Sequence, residues 1–241
     1  MIVTVTLNAA LDRTLTVPNF QLGHRHRASA SLTLAGGKGI SVARALKRLD
    51  APVIATGLAG GRTGDRIIEE LAGEAIRDLN KRGVQCVLDT EGEPLRIGVE
   101  GEPFLVSPNQ REAESLVGQE FSDDDDFLVA LDTIADLGAR NVLITQETSC
   151  FGLLREDRNL RRFHASIPRV EPVASVGAGD VLVAGFLAAR FNKRPFDEAL
   201  RQAIGCAAAS VTELGPGRFD PREALRLASS VVLEELQPIS A

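Results

Sequence analysis

The chain contains no tryptophan and no tyrosine, one methionine and three histidines. Without the two large amphipathic aromatics it offers no stacking platform for a single nucleic-acid strand. Positive charge is also scarce. Against 33 Asp and Glu there are 27 Lys and Arg, a formal net charge of −6, which argues against nucleic acid or an anionic membrane surface as partner. Cys86, Cys150 and Cys206 are odd in number and far apart, with no C-x-x-C pair. Neither a zinc site nor a disulfide framework is indicated, and a reducing cytoplasm is the expected compartment. No apolar run approaches the length of a membrane span, and no charged leader with an apolar segment precedes the strand-like start Ile2-Val3-Thr4-Val5-Thr6.

What is present suits one α/β domain. Apolar residues make up 44% of 241 positions, enough to fill a core. Strand-like segments fall at 2–7, 13–34 (two arms around the charged turn 24–27), 52–58, 84–89, 103–107 and 141–145, followed by a hairpin of 150–154 with 161–165. Helical patterns follow Gly39, run from Asp65 to about Arg82, occupy 90–100, start after Asn109, and span 126–137. Three more follow: the apolar run after Asp180, the Ala-rich segment 196–214, and a final helix from Pro221 to about Leu236. Strands alternating with helices imply a largely parallel sheet covered by helices. No internal repeat or linker interrupts it, so residues 1–241 read as a single domain.

The chemistry is densest at Val176-Gly177-Ala178-Gly179-Asp180. Two glycines around an alanine let the backbone turn tightly and aim successive N–H groups at one point, and the helix start adds its positive end. Asp180 would repel an anion held there. It makes sense as a base beside a phosphoryl cradle, the arrangement that a kinase needs. A second glycine-rich turn, Gly36-Gly37-Lys38-Gly39, opens the helix marked by Ile40, Ala43 and Leu46. It is not a Walker A loop, because Leu32 stands where that motif needs its first glycine and Gly39 follows the lysine. A plain glycine turn or a substrate-holding loop both fit it. Asp12 lies where the chain leaves its first strand and reads either as a turn residue or as a ligand-facing group. Asn109 and Glu112, three apart at a helix start, fit a capping box equally with a place near a magnesium–phosphate cluster. The basic turn His24-Arg25-His26-Arg27 is a solvated loop or a phosphate contact. The acid run 123–126 suits a helix N-terminus.

Taken together these motifs resemble the PfkB-type carbohydrate kinases of the ribokinase-like fold. Thr6-Leu7-Asn8-Ala9-Ala10-Leu11-Asp12 and Val106-Ser107-Pro108-Asn109-Gln110-Arg111-Glu112 are similar to the branch that phosphorylates sugar phosphates, the fructose-1-phosphate and tagatose-6-phosphate kinases. The resemblance implies a three-layer α/β/α fold with a mainly parallel central sheet. It implies an ATP- and Mg2+-dependent transfer to a ketohexose phosphate. Asp180 would be the base, and the amides of Gly177, Ala178 and Gly179 would hold charge on the moving phosphoryl group. Asp12, Gly37, Lys38, Gly39 and Arg27 would bind the sugar phosphate. Asn109 and Glu112 would organise magnesium through water. Thr145, Gly205 and Ala208 would border the nucleotide, and a homodimer is a possible assembly.

The chain departs from the family pattern in three places. Leu71-Ala72-Gly73-Glu74-Ala75-Ile76 runs straight into Arg77-Asp78-Leu79-Asn80-Lys81-Arg82, so lid strands, several sugar-binding residues and one sheet strand are missing, with the join near residues 74–78. Glu147 stands where the nucleotide-side loop usually has glycine, and Ala174 where Asp or Asn is frequent. A lid excludes water and completes a site. The alternative reading is therefore a lid-less protein that binds nucleotide or sugar phosphate and turns over poorly. A dinucleotide-dependent oxidoreductase is disfavoured, because Leu182 occupies the place of the third glycine that such a fingerprint needs.

Overall fold

The computed structural model describes residues 2–6, 10–57, 76, 77, 79–81, 83–156 and 159–238. In chain order the strands and helices are β1 (Ile2–Thr6), β2 (Ala10–Thr16), β3 (Ala30–Gly36), α1 (Lys38–Arg48), β4 (Val53–Gly57), β5 (Val87–Leu88), α2 (Glu93–Val99), β6 (Leu105–Val106), α3 (Gln110–Val117) and α4 (Asp124–Asp136). They continue with β7 (Val142–Thr145), β8 (Ser149–Glu156), β9 (Asn159–Ser166), α5 (Ala178–Phe191), α6 (Phe196–Val211), α7 (Pro221–Ala228) and β10 (Val232–Leu236).

The large sheet is six-stranded, in the order β10-β9-β8-β7-β6-β5. Strands β5, β6 and β7 run parallel, and β7 through β10 pair antiparallel. Two smaller units stand apart from it among the described residues: a parallel pair β1–β4 and an antiparallel pair β2–β3.

Helices cover both faces of the large sheet, so its middle strand is apolar throughout rather than alternating. Leu143 of β7 enters a core with Phe186 of α5, Leu200 of α6 and Leu46 of α1. Val142 and Ile144 point the other way, into a core with Val99 of α2 and Leu131 and Ile134 of α4. This is the expected three-layer α/β/α architecture. Each helix starts for a local reason. Asp123 caps α4 by accepting from the Asp126 N–H at 3.1 Å, which explains the acid run as a helix start. Asp220 caps α7 in the same way, with Pro221 at its first position. Helix α5 is buried almost all round, from Val181 to Ala189, because α1 and α6 flank it. Gly185 permits this, since a Cβ there would stand 3.0 Å from the Ala203 Cα of α6.

Several expectations shift. The final helix ends at Ala228, and Val232–Leu236 is an edge strand that pairs with β9 (Val232 opposite Ser166). The apolar residues of that segment satisfy either period, and the free edge of β9 decided it. Asp12 lies inside β2, opposite Leu34, rather than in a turn. The strand expected at 84–89 shrinks to Val87–Leu88. The helix expected from Asp65 lies mostly outside the described residues, as does most of the expected join at 74–78. Its close is visible: Gly83 takes φ +73°, a left-handed stop. No described helix is long and apolar enough to cross a membrane.

Candidate active site

The described candidate side chains gather where the parallel strands end. Asp89 follows β5, Asn109 follows β6, and Thr145 closes β7, the edge of an α/β sheet at which ligands are met. The N-termini of α1, α3 and α5 supply Lys38, Glu112 and Asp180.

Lys38 is the first residue of α1, after Gly37, whose φ of +109° only glycine adopts freely. Its ammonium lies 3.0 Å from Asp89 Oδ1 and 3.3 Å from Glu112 Oε1. The three side chains are 39%, 14% and 12% exposed, so the pairings are largely shielded from water. Burial works against the lysine charge, but Asp89 and Glu112 outweigh it and raise its pKa. Burial drives the Asp89 carboxyl upward despite Lys38 beside it.

Asp180 is the third residue of α5 and is half-buried. Burial, then the neighbouring Asp89 and Asp12, push its carboxyl up to about 7, with Lys38 and a hydrogen bond from Ser41 pulling the other way. Asp180 and Asp89 are close enough for each carboxyl to perturb the other. Two carboxyls that share a site cannot ionise independently, and a carboxyl poised near 7 can both take and give a proton at neutral pH. The helix before it starts at Gly177, in the left-handed region at φ +83°. A Cβ there would press on Pro216 at 3.0 Å, whereas one built at Gly179 meets nothing within 4 Å among the described residues. The first turn of α5 therefore rests on the 214–219 loop and leaves its Gly179 side open. That loop is itself tied to α1, since Arg44 Nη1 donates to the Pro216 carbonyl at 3.2 Å. The two helix N-termini are braced together in this way.

Asn109 and Glu112 form a full capping box on α3: Asn109 Oδ1 accepts from the Glu112 N–H at 3.0 Å, and Glu112 Oε2 from the Asn109 N–H at 2.9 Å. The local and the functional reading hold together, because Glu112 Oε1 still reaches Lys38. Beside the box is an open cleft of about 960 Å3, lined by Asn109, Arg111, Thr145, Glu147 and Ser175 among others. Glu147, out of pattern in the loop after β7, is paired with Arg169 at 2.9 Å on the surface.

Other residues expected at the site have surroundings of their own in the fold. Gly205 spends its missing side chain on α7, where a Cβ would strike the Ala224 carbonyl oxygen at 2.5 Å, so its need is packing. Gly39 is buried against β1, with a Cβ position 2.8 Å from the Val5 carbonyl oxygen. Ala208 is a buried core residue. Arg27 lies exposed in the loop between β2 and β3. Two members of the cluster were missed: Asp89, read only as the end of a strand, and Ser41, read only as a helix residue. For Asp89 the available signal was an acid immediately after a buried apolar pair, at the carboxyl end of a strand and followed by a turn.

The model of the pfkB family carbohydrate kinases matches residues 79–223, more than half of the chain. The 1-phosphofructokinase of Bacillus subtilis (strain 168) is 27% identical over 293 residues, covering 91% of this chain and 96% of that protein. The 1-phosphofructokinase of Borreliella burgdorferi is 23% identical over 308 residues, covering 98% and 99%. An alignment of 293 positions that uses 91% of 241 residues leaves roughly seventy positions with no residue of this chain opposite them. Among solved structures, phosphofructokinase-2 from Escherichia coli in complex with substrates and products superposes with a TM-score of 0.78 at 21% identity, covering 95% of this chain and 98% of that one. Arabidopsis thaliana ribokinase complexed with ribose and ATP gives 0.72 at 18%, covering 94% and 98%. These two likenesses establish the ribokinase-like fold.

Proposed function

On the premise that the chain belongs to the pfkB family of carbohydrate kinases, phosphotransferases with an alcohol group as acceptor, we propose that it phosphorylates a ketohexose phosphate at the expense of ATP. Fructose 1-phosphate is the first substrate to try, because the relatives compared are 1-phosphofructokinases, and tagatose 6-phosphate the second. The observation that carries the reading is Asp180, a carboxyl raised to about 7, at the open first turn of α5 and beside Lys38.

Asp180 takes the proton of the acceptor hydroxyl as the new O–P bond forms. The amides of Gly177, Ala178 and Gly179 and the positive end of α5 hold the charge of the phosphoryl oxygens in flight. Asp12 and Gly37 border the sugar on the α1 side, and Arg27 is assigned to the phosphate that the sugar already carries. Asn109 and Thr145 line the cleft on the nucleotide side. Asp89 and Glu112 offer hard carboxylate oxygens, the donor chemistry that Mg2+ takes, while the other oxygen of Glu112 and that of Asn109 are committed to the capping box and leave contact through water. Mg2+, when bound with the nucleotide, supplies neutralisation of the phosphate charge. Among the described residues no group of three or more His, Cys, Asp and Glu is placed to hold a metal ion.

Asp180→Asn is expected to lower turnover by about 10²–10⁴-fold, the range of general-base catalysis, with ADP affinity by calorimetry unchanged. Full activity of this variant would sink the assignment. The reading of a binding protein without useful turnover draws on the roughly seventy absent positions and on the separation of β1–β4 from the large sheet. ATP binding without ADP release, across fructose 1-phosphate, tagatose 6-phosphate, fructose 6-phosphate and ribose, would favour it.

A further inference from the structure

Glu147, out of pattern in the loop after β7, lines the cleft beside Asn109 and Thr145. A carboxylate is at odds with a cleft for a polyphosphate, because like charges set face to face repel. Its loop is pinned. The Gln146 N–H donates to the Ser149 carbonyl at 2.9 Å, and Ser149 Oγ donates to Gln146 Oε1 at 2.6 Å. Gln146 Nε2 then donates to Gln110 Oε1 of α3 at 3.2 Å. The counter-charge comes from the chain that leaves β9. The Ile167 N–H donates to the Thr148 carbonyl at 3.0 Å, which lays this segment along the loop, and Arg169 Nη2 donates to Glu147 Oε1 at 2.9 Å. The two side chains are 71% and 72% exposed, and an ion pair so open to water adds little to stability. What the pair does alter is the charge that the cleft presents.

We propose that Arg169 is a specificity-determining residue for the phosphoryl donor: by neutralising Glu147 it keeps the cleft open to a polyphosphate chain. The inference rests on the kinase reading above, which makes this cleft the donor side. Arg169 acts through Glu147 rather than on the donor itself. With the pair formed, the two side chains carry no net charge. Without Arg169, a bare carboxylate faces the incoming phosphates. The penalty then grows with the number of phosphates on the nucleotide and fades with added salt, because repulsion between exposed charges is screened. A glycine in the loop would raise no such difficulty; this chain carries the carboxylate and its counter-charge 22 positions apart.

The test is calorimetry of ATP, ADP and AMP binding to the whole chain without sugar. Arg169→Ala should weaken ATP binding by about tenfold, the scale of an unscreened like charge at a binding rim, with a smaller loss for ADP and the smallest for AMP. Arg169→Lys keeps the charge and should bind ATP within about twofold of the unaltered chain. In a Glu147→Gln background, Arg169→Ala should cost ATP about twofold or less, because no carboxylate is left to neutralise. Thermal melts of each variant show that the fold is kept. Unchanged ATP affinity in Arg169→Ala overturns the proposal, and so does an equal loss for all three nucleotides. A penalty that persists beside Glu147→Gln also overturns it, since Arg169 would then touch the donor directly. An unaltered chain that binds none of the three overturns both this inference and the kinase reading. The graded loss in a chain with no ATP-dependent turnover would retire the kinase reading and leave the charge balance standing. Turnover without the graded loss would do the reverse.

Discussion

β1 and β7 are close to interchangeable as sequences. Ile2-Val3-Thr4-Val5-Thr6 and Val142-Leu143-Ile144-Thr145 are both short, rich in β-branched residues, and paired in parallel with a neighbour. Their surroundings differ. Val142, Leu143 and Ile144 are 0% exposed, with helices on both sides, while Val3 and Val5 are 46% and 49% exposed and only the Thr4 and Thr6 face is covered. A strand of a parallel sheet normally needs cover on both faces. The difference lies in what the described residues supply: α2, α4, α5 and α6 enclose β7, whereas α1 is the described helix that packs on β1. The site sits where the two regions meet. Asp12, Lys38 and Ser41 come from the amino-terminal part and Asp89, Glu112 and Asp180 from the carboxy-terminal part.

The contrast can be broken by mutation. Ile144→Ala in β7 should cost about 2–5 kcal/mol by urea unfolding, whereas Val5→Ala in β1 should cost less than about 1 kcal/mol. Equal costs would mean that the exposed face of β1 is covered in solution. Gly39→Ala probes the face of β1 that is covered. Its Cβ would meet the Val5 backbone at 2.8 Å, so a loss of about 1–3 kcal/mol is expected, and a neutral result would show that α1 and β1 are loosely joined.

Acidity tests the seam between the regions. The native Asp180 carboxyl keeps its proton up to about 7, whereas an unfolded one releases it near 3.8. Between those values the native state binds more protons, so stability falls as pH rises and the cost of the ionised group is complete above about 7. Asp180→Asn removes that cost. Its melting temperature should exceed that of the unaltered chain by a margin that widens from pH 4 to 7 and then stays level. In the unaltered enzyme, activity should climb through pH 7. With Asp89→Asn the residual activity should climb at lower pH, because a neighbouring negative charge is gone. A pH-independent margin would remove the buried carboxyl from the account.

The smallest effect concerns Thr4, whose buried hydroxyl has no hydrogen-bond partner among the described residues. Thr4→Val replaces it with a methyl group of similar shape and should raise stability by up to about 1 kcal/mol by thermal melting. A loss would mean that the hydroxyl finds a partner in solution.

Much of the site could be read along the chain because its parts are local. The Gly177-to-Asp180 turn, the Gly37–Lys38 helix start and the Asn109–Glu112 box each fit within five residues, and each carries its backbone requirement in its own glycines or cap. Asp89 and Ser41 were hidden because their significance depends on partners 51 and 139 positions away, Lys38 and Asp180. Gly205 misled in the opposite sense. A glycine in an Ala-rich helix reads alike whether a ligand or another helix approaches it, and the backbone of α7 is what fills the space.

The sequence by itself determined most strands and helices up to Ala228, the caps, the glycine turn before Asp180 and the family, because helix and strand periods, glycine φ angles and capping chemistry act over a few residues. Tertiary structure alone decided that Val232–Leu236 is a strand, that β7 is sealed while β1 is half open, and that one lysine pairs with carboxylates from the end of β5 and the first turn of α3. Those outcomes depend on which surfaces meet. Pairing at a free sheet edge, cover on a second face and the balance of charge in a shielded cluster are properties of neighbours that no stretch of chain carries within itself.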